Sequence, residues 1–149
     1  MIRLRRAPDF IILQQGKPYI RRWWILPRNR LFNIYLHQIL RSDDDRALHD
    51  HPWWNLSIIL KGQYLEVRPV IGDLHPGKLC LPGSFTLRRP TAAHRLLNNE
   101  PCWSLFITGP RIREWGFHCP QGWRHWREFL GIPTGNAKGD EIGPGCGEQ

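Results

Sequence analysis

Proline or glycine interrupts almost every window of this chain long enough to hold a helix. There are 14 glycines and 13 prolines in 149 residues, and no long stretch keeps the 3.6-residue period of an amphipathic helix. What lies between the interruptions is short and rich in β-formers: Phe10 to Leu13, Tyr19 to Leu26, Leu31 to Leu40, Trp53 to Leu60, Gln63 to Val70, Ser84 to Arg89, His94 to Leu97 and Trp103 to Thr108. Lys61-Gly62 falls between two such runs and reads as a hairpin turn. Many short strands at close spacing predict an all-β sandwich or barrel, including the double-sheet jelly roll. A short helix is expected near the C-terminus, where Trp123, Trp126 and Leu130 lie three and four apart. The length predicts one domain over residues 1–130. Residues 131–149 are Gly-rich and polar, with little to bury, and are expected to form a flexible tail.

At 41% hydrophobic the chain can bury a core, and wholesale disorder is excluded. No apolar run reaches the ~18–20 residues that cross a bilayer, and Phe10 to Leu13 is too short for a signal-peptide core. The expectation is a cytoplasmic protein without a membrane role. Cys80, Cys102, Cys119 and Cys146 contain no C-x-x-C pair, and they read as three buried apolar residues plus a tail thiol rather than a disulfide framework. The net charge of +8 favours anionic partners without choosing among them. Arg21-Arg22-Trp23-Trp24 could stack on single-stranded nucleic acid; the plainer expectation is a strand with Trp on the core and Arg in solvent.

Chemistry concentrates in His49-Asp50-His51-Pro52-Trp53-Trp54-Asn55. Alternate residues of a strand share a face, so His49 and His51 point the same way, about 6.5–7 Å apart along the backbone, and can converge on one metal ion. Asn55 shares their parity, whereas Asp50 turns to the opposite face. Asp43, Asp44 and Asp45 precede the pair and could fold back onto its imidazoles; a solvated turn is the plainer expectation for them. Tyr35 and His37 share a face of the Leu31 to Leu40 run, which makes both candidates for substrate binding or acid–base work. Arg88 shares parity with His94 and is a candidate clamp for an anion. His118, Cys119 and His125 fit no metal spacing and are read as packing.

The spacing His49-x-His51-x3-Asn55-x6-Gly62 resembles the first motif of the cupin superfamily, with Asn55 where that family usually has Glu and without its leading Gly. Pro90-Thr91-Ala92-Ala93-His94, with His94-x3-Asn98, resembles the second motif, one residue shorter and lacking its Gly. The resemblance covers roughly Leu48 to Asn98. It implies a cupin-like double-stranded β-helix, the jelly-roll barrel, with a divalent metal held by His49, His51 and His94. Asn55 would be a weak fourth oxygen ligand or none, and a three-His site is similar to that of cysteine-dioxygenase-like cupins. The implied function is a metal-dependent enzyme of Fe(II) dioxygenase type acting on a small anionic molecule. Zn, Ni or Mn are alternative ions, because imidazole suits several of them. The rival expectation is a non-catalytic module on the same barrel that binds a small molecule or, less favoured, nucleic acid. A homodimer is also implied, with Tyr19 to Leu26 as one segment able to pair across it. Trp53 or Trp103 is expected to wall the pocket.

Overall fold

The structure is a computed structural model that describes residues 6–14, 16–43, 47–69, 76–132 and 143–147. Twelve strands and one helix are present among these residues: β1 Phe10–Gln14, β2 Lys17–Trp24, β3 Asn33–Ile39, β4 Leu48–His49, β5 Asn55–Lys61, β6 Tyr64–Val67, β7 Gly77–Cys80, β8 Phe85–Arg88, β9 Arg95–Leu97, β10 Cys102–Thr108, β11 Gly116–Cys119, β12 Gly122–His125 and α1 Trp126–Leu130. The Leu31 to Leu40 run is a strand, as its Phe, Ile and Tyr content predicts.

One layer is a six-stranded antiparallel sheet in the order β1-β2-β3-β10-β5-β8. The other is built from two three-stranded sheets, β12-β11-β4 and β7-β6-β9. An isolated antiparallel bridge between His49 and His94 stitches these two edge to edge, with each residue's N–H donating to the other's carbonyl at 2.9 Å. The result is a jelly roll whose second layer closes through two of the three histidines that the motifs single out. Inward-facing residues of both layers form the core. Tyr19, Ile20, Ile39, Ile59, Tyr64, Cys80, Leu96 and Cys102 pack together. A second cluster of Ala47, Phe117 and Phe129 sits under the helix.

The structure corrects several sequence expectations. Lys61-Gly62 is not a hairpin turn, because β5 pairs with β10 and β8 while β6 pairs with β7 and β9. The turn carries the chain from one layer to the other. Gly62 has φ +75°, and a Cβ there would lie 2.6 Å from the Pro101 carbonyl oxygen. That close crossing, rather than a hairpin, is why glycine stands at this position. The C-terminal helix is shorter than the aromatic spacing suggests, because Trp123 belongs to β12 and pairs with His118. His125 caps α1, its Nδ1 accepting from the Arg127 N–H, and Gly131 ends it in the left-handed conformation.

The cysteine expectation also changes. Cys80 and Cys102 are buried free thiols, and burial pushes the Cys102 thiol up to about 12. Cys119 and Cys146, however, form a disulfide across 27 residues of sequence. Residues 143–147, in the expected tail, are therefore anchored: the Gly145 N–H donates to the Phe129 carbonyl, and Arg124 donates to the Gly145 carbonyl at 2.6 Å. Among the described residues no helix is long and apolar enough to cross a membrane.

The Arg21-Arg22-Trp23-Trp24 run is divided by strand alternation. In its register with β3, Arg22 faces His37 and Trp24 faces Tyr35, while Trp23 faces Leu36. Trp23 stacks on Trp103 at 5.4 Å on the outer face, so Trp103 is no part of the cavity wall, whereas Trp53 is.

Candidate metal centre

Local structure aims each histidine of the group separately. His49 ends β4, which β11 holds through the pairs His49↔Phe117 and Leu48↔His118. His51 lies past the strand's end, where its N–H donates to the Pro90 carbonyl. His94 enters from the other half of the layer, just before β9. Between the two histidines of the first motif, Asp50 is only 1% exposed. Its carboxylate takes the Gly116 N–H at 2.8 Å, the Trp123 Nε1–H at 3.0 Å, His118 Nε2 at 3.1 Å and Arg113 Nη1 at 3.0 Å. Turned away from the histidine face, as alternation predicts, Asp50 pins the segment so that its neighbours converge.

One ligand atom from each of His49, His51 and His94 lies within 4.8 Å of the others. The Nε2 atoms of His51 and His94 are 2.9 Å apart, and the His49 ring centre is 5.1 Å and 4.9 Å from those of His51 and His94. Burial, the largest cause, and the neighbouring imidazoles push His51 well below its ordinary range. Burial likewise brings His94 down to about 4, against the opposing hydrogen bond to Glu66. Both rings are thus neutral at pH 7, the form that ligates a metal.

The carboxylates behind the ring are partly unexpected. Glu66, on β6, is 1% exposed. Its Oε1 accepts from Arg88 Nε at 2.7 Å and lies 2.8 Å from His94 Nδ1. Burial alone would raise the Glu66 carboxyl, but the His94 and Arg88 hydrogen bonds and charges outweigh it and hold it well below the usual carboxylate range. With Nδ1 donating to Glu66, His94 turns its Nε2 lone pair toward the other histidines. Asp43 reaches His49, its Oδ2 lying 3.7 Å from Nδ1. Asp44 and Asp45 lie outside the described residues. The set fits a divalent ion: three imidazoles converge, two of them held neutral by burial, with carboxylates at the outer nitrogens of His94 and His49.

The other candidates sort by their contacts. Arg88 lines the cavity but is committed to the wall. Besides Glu66, it donates to Asn55 Oδ1 at 3.1 Å, Ser57 Oγ at 2.9 Å and the Tyr64 hydroxyl at 3.3 Å. Its charge is balanced by Glu66, which makes it a brace for the carboxylate rather than a clamp for an anion. Asn55 is fully buried, with its one oxygen engaged by Arg88; among the described residues its Nδ2 has no partner. His37 lines the cavity, and Tyr35 does not. Tyr35 stacks behind His37 at 5.8 Å, because on a twisted sheet a shared face does not guarantee a shared cavity.

The cavity holds about 380 Å³, within the range of small-molecule sites. His49, His51 and His94 sit in its wall beside Trp53, Phe106 and Trp115. Arg22, which the sequence alone places in solvent, also lines it. The signal for Arg22 existed only in the β2–β3 register, which puts it opposite His37.

No family model matches the chain, and no curated protein matches its sequence. Solved structures are similar in fold. HppE in its Fe(II) form matches with TM-score 0.55 at 11% identity, over 69% of this chain and 58% of that one; the chain thus spans less than two thirds of HppE. The DMSP lyase DddQ from Ruegeria pomeroyi gives 0.54 at 15% identity, over 79% of this chain and 61% of the lyase. A putative mannose-6-phosphate isomerase from Ralstonia eutropha gives 0.53 at 14% identity, over 72% of this chain and 99% of that one. At such identities the likeness is one of fold: the chain has a cupin-like jelly roll carrying a three-histidine group able to hold a metal.

Proposed function

We propose that this protein is a metal-dependent enzyme acting on a small molecule that carries an anionic group, with the ion held by His49, His51 and His94. The observation that carries the reading is the convergence of three imidazoles in the wall of a cavity of substrate size. Fe(II) is the favoured ion, and an oxygenation the favoured reaction. Three neutral ligands leave the ion's charge uncompensated and its other positions open to an anionic substrate and a small co-reactant. HppE, one of the structures of similar fold, is itself an Fe(II) protein.

The chain's own residues supply the setting. Glu66 fixes the His94 tautomer, and Arg88 keeps Glu66 ionised. Trp53, Phe106 and Trp115 line the cavity and would limit water around a bound ion. His37, held neutral mainly by burial and also by the Arg22 charge, is an acceptor rather than a proton donor at pH 7.

The test is oxygen uptake by protein loaded anaerobically with Fe(II) and offered a panel of small carboxylates. Uptake in the native chain and none in His94→Ala supports the reading. Equal uptake in both, or turnover only with Zn(II), overturns the oxygenase assignment. Salt-sensitive binding of single-stranded nucleic acid that survives His94→Ala would instead favour a binding module. For assembly we retain a homodimer, which sedimentation at several concentrations tests; the cytosolic compartment expected from the sequence is opposed by the Cys119–Cys146 disulfide, a bond rare in the reducing cytosol.

A further inference from the structure

Two arginines reach the cavity, and they differ in one respect. Arg88 faces Glu66 at 2.7 Å. Arg22 has no carboxylate partner among the described residues. Its Nε donates to His37 Nε2 at 2.8 Å, and its guanidinium lies 4.5 Å over the Tyr35 ring. An imidazole that accepts from Arg22 is neutral and leaves the full positive charge in place. Arg22 is half-buried, and withdrawing a cation from water without a counter-charge costs free energy. The strain shows on Arg22 itself, brought down to about 10 chiefly by burial. Nothing in the packing requires a charge there, since Tyr35 and Phe106 flank His37 as apolar surfaces.

With Nε engaged, the two Nη groups form the edge that remains, and the protein offers that edge no acceptor among the described residues. Two parallel N–H donors match one carboxylate. Among the described residues no second uncompensated arginine and no lysine line the cavity, so the site suits a single negative charge rather than a phosphate dianion. The cavity wall also includes Ile39, Trp53, Leu96 and Phe106, with Phe106 lying against both His37 and His51, which calls for an apolar body.

We propose that Arg22, oriented by His37, anchors the carboxylate of a largely apolar monoanionic substrate whose other end faces His49, His51 and His94. This rests on the reading of the cavity as a metal-dependent active site. It assigns the anion-binding role to Arg22 instead of Arg88.

The experiment titrates zinc-loaded protein with 3-phenylpropionate, its uncharged amide and phenyl phosphate, following calorimetry and the intrinsic tryptophan fluorescence. Zinc content is measured in every sample. The carboxylate is expected to bind at least about tenfold tighter than the amide, the scale of a charge-assisted hydrogen bond. Arg22→Met should bring the carboxylate down to the level of the amide, and Arg22→Lys should retain part of the preference. Zinc should stay bound in both variants. Without probe, Arg22→Met should melt close to or above the native temperature, because a half-buried charge that faces no carboxylate is gone. Should that variant fail to fold, Arg22→Gln provides the same comparison.

Equal binding of carboxylate and amide, tighter binding of phenyl phosphate, binding unchanged in Arg22→Met, or binding of no probe at all overturns the proposal. If the native chain retains no zinc but still prefers the carboxylate through Arg22, the anchor stands and the metal-enzyme reading falls.

Discussion

Glu66 and His94 show how much of the centre depends on one pair of atoms, 2.8 Å apart. Removing the Glu66 charge does two things. It frees His94 to rotate and change tautomer, which for a carboxylate behind a ligating histidine weakens metal binding by about 10- to 100-fold. It also strands the Arg88 guanidinium in the interior, at a cost of about 3–5 kcal/mol. Glu66→Gln is therefore expected to lower both metal affinity and unfolding free energy, read by competition with a chelator and by urea denaturation. A variant that loses neither would remove Glu66 from the account.

The histidines give a pH dependence of definite sign. His51 and His94 are depressed in the folded chain, so below about pH 6.5 the unfolded chain binds more protons than the folded one. Metal-free protein should be at full stability above that pH. It should lose about 1.4 kcal/mol per pH unit per histidine as the pH falls toward the folded value, about 4 for His94. Denaturation midpoints between pH 7 and 4.5 check this, and His94→Ala should flatten the slope.

The three histidines were legible from spacing, because strand parity and the two cupin-like motifs carry them. Glu66 and Arg22 were not. Glu66 sits on a strand whose sequence looks ordinary and Arg22 in a run read as sending its arginines to solvent, and only the pairing of β6 with β9 and of β2 with β3 gives them partners.

At the scale of elements, strand existence was readable from composition and punctuation, while pairing was not. β12 was hidden where Trp123, Trp126 and Leu130 read as helix, and β11 in the aromatic stretch before it, where His118 and Cys119 read as packing. The β5–β6 connection looked like a hairpin, because Gly follows Lys in a tight turn whether the chain returns to the same sheet or crosses to the next. Gly62 separates the two cases. Alanine there must adopt φ +75° and meet the Pro101 carbonyl at 2.6 Å. Gly62→Ala is expected to cost more than about 1 kcal/mol, measurable by thermal denaturation; a neutral substitution would mean that the crossing has room. The disulfide is an element-scale feature that no spacing motif announces. Closing a loop of 27 residues corresponds to about 3–4 kcal/mol in the chain-entropy account. Cys146→Ser should lower the melting temperature and make Gly145, bonded to Phe129 and Arg124, open to proteolysis. An unchanged digestion pattern would show that the segment holds without the bond.

Taken whole, the molecule is two antiparallel layers whose inner surfaces enclose a cavity, and the closure of the second layer is the His49–His94 bridge. Fold and site are thus not separable: the backbone contact that completes the barrel also brings two ligands together. The net charge of +8 first suggests a surface for nucleic acid. Part of it turns out to be inside, where Arg22 and Arg88 line the cavity and only Arg88 faces a carboxylate there.

The claim that binds these scales together is that His49, His51 and His94 hold one metal ion. It is tested by elemental analysis of the protein purified from medium supplemented with iron and zinc, beside His49→Ala and His94→Ala prepared in the same way. The account predicts close to one divalent ion per native chain and almost none in either variant, with both still folded. A native chain without metal, or variants that keep it, would contradict the account.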